Sequence, residues 1–139
     1  ESCEGFGMPE RAGDLARDLR ANGVDVILMI AGSSNTGIVD AARETGDVYL
    51  IGEDTDQSYL APNLVAASVV KKIDAIVYHA VENEVDGRFT PGREVWTLEN
   101  GGTGLVISPR FDERYARLPV EWQERAIAAE KEYLKTAVF

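Results

Sequence analysis

The stretch VDVILMIAGSSNTGIVDAA at residues 24–42, followed by VYLIGEDTDQSYLAP at residues 48–62, decides the fold. Residues 24–31 are a near-continuous apolar run, which is typical of a strand buried on both faces of a parallel sheet. A small polar loop and a short helical pattern at 38–44 separate this run from a second apolar run at 48–52. The order strand, helix, strand predicts a right-handed crossover onto a parallel sheet.

Elements of the same kinds flank this unit. Helical patterns lie at 9–21, 69–87 and 119–135, and strand-like runs lie at 64–68, 93–98 and 104–107. The helical patterns place apolar residues three and four positions apart, whereas the strand-like runs are short and bounded by turn residues. The sequence therefore predicts an α/β fold of three layers, with a mostly parallel sheet flanked by helices.

Composition and charge narrow the class of function. The chain has 139 residues, 45% hydrophobic and 27% charged, which is typical of one globular domain. A net charge of -10 argues against nucleic acid and against an anionic membrane surface as partners. Cys3 is the single cysteine, so an internal disulfide is excluded, and we expect it to be a small buried or strand-end residue. With one histidine, the common zinc patterns are absent, so no metal or cofactor is expected.

Two polar loops follow the apolar strands and are the candidate ligand-binding edge. In open parallel sheets, ligands bind beyond the carboxyl ends of the strands. The first loop, residues 32–37, is rich in small residues and hydroxyls at a predicted helix N-terminus, where backbone N–H groups are available to a ligand. The alternative is that Ser33, Ser34 or Asn35 only caps that helix. The loop has neither the dinucleotide fingerprint nor the P-loop pattern.

The second loop is acidic. Glu53, Asp54 and Asp56 follow the second apolar run within four residues. Such a group could bind a metal, supply a carboxylate pair for acid–base chemistry, or accept hydrogen bonds from ligand hydroxyls, and the alternative is a solvated loop. Lys71 and Lys72 open the next predicted helix, where the helix dipole disfavours them. Solvation at the surface is the expected state of both lysines, and the alternative is that Asp54 or Asp56 holds one of them.

No catalytic set is indicated, and the chain is not expected to be an enzyme. His79 lies within the predicted long helix, and neither a Ser–His–Asp nor a Cys–His arrangement can be assembled around it. Trp96 and Trp122 are expected to pack in the core.

Several segments together resemble the basic membrane protein family, whose members are substrate-binding lipoproteins of ABC transporters similar to the bacterial purine nucleoside receptor. The segments are VDVILMIAGSSNTGIVDAA, VYLIGEDTDQSYLAP, ASVVKKIDAIVYHAV, DGRFTPG and ENGGTGL. They cover residues 24–107, and DTDQSYLAP and SVVKK are the most specific among them.

The resemblance implies one lobe of a type I periplasmic-binding-protein fold, in which two α/β lobes close on a ligand. It implies that residues 1–139 are a single α/β lobe, the C-terminal lobe with crossover segments, and that the first lobe is absent. It further implies a nucleoside-like small-molecule ligand, an ABC permease as partner of the full-length protein, and an extracytoplasmic location, as an anchored lipoprotein or periplasmic.

The same resemblance suggests the binding residues. Ala31, Gly32 and Ser33 match a turn whose backbone and small side chains approach the ligand. Asp54 matches the carboxylate that accepts hydrogen bonds from ribose hydroxyls, and Lys71 matches a lysine at the start of a helix.

Asp56 completes the predicted site as a member of the acidic loop. Three departures from the family pattern put purine nucleoside specificity in question. Ser33 and Asn35 replace glycines, and Glu53 replaces a residue that is usually apolar.

Two further expectations concern the long helix and the alternatives for function. In the resembled proteins this helix lies at the lobe boundary, so we expect its wide apolar stripe to repack or to pair with another copy in a homodimer. The alternatives to a transport role are a ligand-sensing regulatory domain of the same fold and a flavodoxin-like enzyme domain.

Overall fold

A computed structural model describes residues 5–111 and 120–137. The helices are α1 (Pro9–Ala21), α2 (Asn35–Thr45), α3 (Ile73–Val85) and α4 (Val120–Thr136). The strands are β1 (Val26–Leu28), β2 (Tyr49–Asp54), β3 (Val65–Lys71) and β4 (Thr103–Ile107). The expectation for Cys3 and the predicted helix start at residue 119 fall outside the described residues.

The strands form one sheet in the order β1-β2-β3-β4. β1 pairs with β2 in parallel, with Val26 opposite Tyr49, and β2 pairs with β3 in parallel. The second pairing shifts register between Leu50 and Ile51. The predicted α/β class with a mostly parallel sheet and flanking helices is confirmed.

The core lies between the sheet and the helices α1 and α2, of which α2 connects β1 to β2. Its fully buried side chains include Met29 directly after β1, Leu50 of β2 and Val65 of β3, and small alanines of α1 and α2 belong to the same core. Two glycines, Gly13 of α1 and Gly37 of α2, allow the two helices to approach closely. A Cβ on Gly37 would lie 1.7 Å from the Pro9 carbonyl oxygen, so only glycine fits at this helix crossing.

The chain forms two compact units. The first unit comprises residues 1–70 and 105–116, and the second comprises residues 71–104 and 117–139, so the division falls within β3 and β4. The first unit contains α1, α2, β1 and β2 entire. That residues 1–139 are a single lobe with crossover segments stays a prediction.

The start of the long helix differs from the prediction. The sequence pattern places a strand at 64–68 and a helix from 69, whereas β3 continues to Lys71 and α3 begins at Ile73. Val69 and Val70 are β-branched and extend the strand run, because such side chains favour a pleated surface over a helix. Lys71 is therefore the last residue of a strand, and its predicted position at a helix start is wrong.

The predicted strand at 93–98 is also wrong, because this segment is irregular. Two of its backbone N–H groups are hydrogen-bonded to side chains. The Leu98 N–H donates to the Glu130 carboxylate at 2.9 Å, and the Thr97 N–H donates to Asn100 Oδ1 at 2.6 Å. Groups bonded in this way do not need a neighbouring strand.

The second unit contains an exposed apolar helix face. No residue of α3 is buried, and Ile73, Val77 and Val81 are each more than half exposed. The ring of His79 meets that of Trp96 edge to face at 5.3 Å. Trp122, which the sequence placed in the core, is 54% exposed, with the Arg125 guanidinium 4.3 Å from its ring centre. The pairing of α3 with another copy stays a prediction.

Candidate functional site

The two polar loops follow adjacent parallel strands and meet at one edge of the first unit. After β1 the chain turns through a short 3-10 helix, Gly32–Ser34, directly into α2. The acidic loop, residues 53–57, begins with Glu53 and Asp54, the last two residues of β2. We call it and the first loop together the loop pair. A hydrogen bond joins them, since the Gly32 N–H donates to Glu53 Oε1 at 3.2 Å.

Asp54 is held in a strained backbone conformation. Its φ is 64°, and it is the only residue other than glycine with a positive φ among the described residues. The Thr55 N–H donates to the Glu53 carbonyl at 2.7 Å, which makes Asp54 the centre of a three-residue γ-turn. Such conformations cost on the order of 1–3 kcal/mol and cluster at functional sites. The residue that the sequence favoured for ligand contact is therefore also a point of backbone strain.

A buried polar network fixes the loop pair from beneath. Asn35 is 2% exposed, and its Oδ1 accepts a hydrogen bond from the Ala31 N–H at 3.1 Å. Its Nδ2 lies 3.5 Å from Gln57 Oε1. The Gln57 N–H in turn donates to the hydroxyl of the fully buried Ser68 at 3.0 Å. The network connects the end of β1, the acidic loop and β3, so that movement of either loop breaks partly buried hydrogen bonds.

A glycine completes this network. A Cβ on Gly52 would lie 2.6 Å from Ser68 Oγ and 2.8 Å from the Cβ of Gln57. Glycine is therefore required where the acidic loop folds back over β2 and β3. Sequence reasoning missed Gln57, Ser68 and Gly52, because their importance comes from contacts between residues distant in the chain.

The expectation that side chains only cap α2 does not match the structure. The helix begins after Ser34 without a side-chain capping hydrogen bond. Ser34 Oγ instead donates to the Gly5 carbonyl at 3.0 Å and accepts from the Met8 N–H at 2.8 Å, while the Asn35 side chain reaches back to Ala31. The polar side chains of this turn thus fix the loop rather than the helix end.

The segment before α1 brings an aromatic side chain to the first loop. The Ser33 hydroxyl and the Ser34 N–H both donate to the Phe6 carbonyl. A Cβ on Gly32 would lie 3.1 Å from Phe6 Cδ1, so the ring lies against the glycine, and yet Phe6 is 71% exposed. Sequence reasoning also missed Phe6. No periodic pattern marked it.

Five of the six predicted site residues lie in the first unit. Ala31, Gly32 and Ser33 form the first loop, and Asp54 and Asp56 lie in the second. Asp56 Oδ1 accepts a hydrogen bond from the Ser58 N–H at 2.9 Å, which shapes the exit of the acidic loop. Lys71 belongs to the second unit. That these six residues bind a ligand is not tested by the structure and remains a prediction.

Within residues 5–111 and 120–137, no three residues among the histidines, aspartates and glutamates are grouped as a metal ion would require. None of the helices described there combines the length and apolar character needed to cross a membrane.

Comparison with known proteins places the chain in a family. Residues 1–135 match the family of PnrA-like substrate-binding proteins of ABC transporters. Basic membrane protein D of Borreliella burgdorferi is 39% identical over 106 residues, which cover 74% of this chain and 31% of that protein. Basic membrane protein B of Borrelia garinii subsp. bavariensis is 42% identical over 107 residues, covering 70% of this chain and 30% of that protein.

Solved structures share the fold. A solute-binding protein of an ABC transporter system from Aeropyrum pernix K1 matches with a TM-score of 0.68 and 26% identity, over 94% of this chain and 39% of that one. A transcriptional activator of the comK gene from Bacillus halodurans matches with a TM-score of 0.70 and 22% identity, over 97% of this chain and 45% of that one. The second likeness shows the fold alone.

The chain spans about 31% of the length of the curated relative named first. The family match nevertheless extends over nearly all of its residues, and the family consists of substrate-binding proteins rather than enzymes. The chain belongs to the family of PnrA-like substrate-binding proteins of ABC transporters.

Proposed function

We propose that this chain is the second lobe of a solute-binding protein that delivers a nucleoside-like ligand to an ABC permease. The observation that carries the proposal is the loop pair, in which a strained Asp54 and a small-residue turn are fixed side by side at one sheet edge. Membership in the family supports the transport role. Ligands of open parallel sheets bind at this kind of edge.

Each part of the loop pair suits one part of a nucleoside. The carboxylate of Asp54 is a strong acceptor for sugar hydroxyls, because hydrogen bonds to an ionised group are stronger than neutral ones. The backbone of Ala31–Ser33 offers a close approach because its side chains are small. The exposed ring of Phe6 offers a face on which an aromatic base stacks. Asp56 and Lys71 are proposed as further polar contacts.

Exposed apolar surface supports the view that the lobe works with more protein. Parallel sheets are normally covered on both faces. In the first unit, Val26, Leu28 and Tyr49 occupy one sheet face and are each more than 40% exposed. In the second unit, α3 exposes its apolar stripe. A first lobe closing over the ligand would exclude water from the site, which a single lobe does less well.

The same proposal implies a location and a partner for the full-length protein. A solute-binding protein that docks on an ABC permease works outside the cytoplasm, either as an anchored lipoprotein or in the periplasm. Neither a cofactor nor nucleic acid takes part. Binding, rather than turnover, is the expected activity.

Removal of the Asp54 carboxylate tests the site. In calorimetry of the full-length protein against a panel of nucleosides, Asp54→Ala is expected to weaken binding by about 10- to 100-fold, since hydrogen bonds to a charged group contribute about 1.5–3 kcal/mol. Asp47→Ala is the matched control, because its side chain is 83% exposed and precedes β2 at the opposite end. Equal affinity of Asp54→Ala and the unchanged protein would remove Asp54 from the site.

Removal of the Phe6 ring tests the stacking contact. Phe6→Ala is expected to weaken the binding of nucleosides by about 10-fold or more, since base stacking on an aromatic side chain contributes about 1–3 kcal/mol. Phe6→Tyr should retain the affinity. Tyr133→Ala serves as control, because Tyr133 is comparably exposed at 67% on α4. Nucleoside binding that is insensitive to Phe6→Ala contradicts this role.

The strain at Asp54 gives a prediction for stability that is independent of any ligand. Both Asp54→Ala and Asp54→Gly remove the carboxylate, but only glycine adopts a φ of 64° without penalty. In urea denaturation of the full-length protein, Asp54→Ala is expected to have a free energy of unfolding about 1 kcal/mol lower than Asp54→Gly.

Asp56, whose φ is negative, provides the matched comparison. There the order should reverse, with Asp56→Ala at least as stable as Asp56→Gly, because alanine restricts the unfolded chain. The same order at both positions would show that the turn at Asp54 is not strained.

A further inference from the structure

We propose that Glu53 makes the binding edge selective for uncharged ligands and excludes phosphorylated ones. The inference rests on the proposed function and specifies the ligand class of the same site. It starts from the hydrogen bond in which Glu53 Oε1 accepts from the Gly32 N–H at 3.2 Å.

The turn before α2 is of the kind that ordinarily attracts anions. Backbone N–H groups at the start of a helix are free of helical partners, and the helix dipole adds partial positive charge. A phosphate would bind here by accepting hydrogen bonds from several of these groups at once.

In this chain, acceptors of the protein itself already occupy three N–H groups of the turn. The Ala31 N–H donates to Asn35 Oδ1, and the Gly32 N–H donates to Glu53. The Ser34 N–H donates to the carbonyls of Ala31 and Phe6. A phosphate would have to displace these partners, one of which is itself an anion occupying the position that the phosphate would take.

The charge of the loop pair also disfavours a bound phosphate. Asp54 and Asp56 place two more carboxylates in the same loop, and neither loop of the pair contains a lysine or arginine. Glu53 is half-buried whereas both aspartates are exposed, and of the three carboxylates it is the one bonded to the Gly32 N–H. At the loop pair itself, a neutral ligand with hydroxyl groups finds acceptors, whereas a phosphorylated ligand meets like charge. Lys71, the one cation proposed for the site, belongs to the second unit and not to the loop pair.

Glutamine is the informative substitution at position 53. Glu53→Gln retains the shape and an oxygen acceptor for the Gly32 N–H, so the loop pair keeps its geometry while it loses the charge. The same loss of charge at Asp47→Asn, before β2, is the matched control for the overall field of the protein.

The experiment measures affinities of the full-length protein by calorimetry. The ligands are adenosine, guanosine, uridine, cytidine and their 5′-monophosphates, each pair compared at low and at physiological salt. The unchanged protein is expected to bind a nucleoside at least 100-fold more tightly than its monophosphate. Glu53→Gln should bind that nucleoside within about 3-fold of the unchanged protein and the monophosphate at least 10-fold more tightly. Asp47→Asn should shift neither affinity by more than about 2-fold.

The outcomes separate this inference from the proposed function. Binding of no nucleoside by the unchanged protein would overturn both. If nucleosides bind and the binding depends on Asp54, the proposed function stands. Equal affinities for nucleoside and monophosphate, or a preference that Glu53→Gln leaves unchanged, would then overturn the selective role of Glu53 alone.

Discussion

Parallel pairing of β1 with β2 is the constraint on which the rest of the first unit depends. Because the two strands run in the same direction, the loops that follow them emerge at the same edge of the sheet. The crossover between parallel strands is usually a helix. Here it is α2, which packs closely against α1 at Gly37. The loop pair is a direct consequence of this order.

Hydrogen bonds then hold the two loops at this shared edge in one arrangement. Asn35, Gln57 and Ser68 connect the two loops and β3 beneath the surface, and Glu53 connects the loops above it. Buried polar groups that are fully bonded favour one arrangement over its alternatives. The energy that holds the network also sustains the strained turn at Asp54, since a backbone conformation of this kind persists only when its surroundings determine it.

Much of the fold was predictable from the sequence. The apolar runs that became β1 and β2 are recognisable because strands buried on both faces carry few polar residues. The position of the loop pair followed from strand order alone. The start of α3 was not predictable, because Val69 and Val70 satisfy a helical and a strand pattern equally well, and the contact with β2 decides between them.

The details of the site depend on contacts between distant residues. The pairs in the buried network are separated by 22 and 11 residues, so no local pattern marks Asn35 with Gln57 or Gln57 with Ser68. Phe6 lies in a segment without periodicity and reaches the first loop through backbone hydrogen bonds. The strain at Asp54 was not predictable either. Glu53 and Asp56 have similar sequence surroundings but ordinary backbone conformations, so the acidic pattern does not mark Asp54.

The central claim is that the loop pair is one wall of a ligand site. The most direct measurement is a crystal structure of the full-length protein with a bound nucleoside. The claim predicts sugar hydroxyls within hydrogen-bond distance of the Asp54 carboxylate and the base against the ring of Phe6. A nucleoside bound elsewhere on the protein, with both side chains still exposed to solvent, would contradict it.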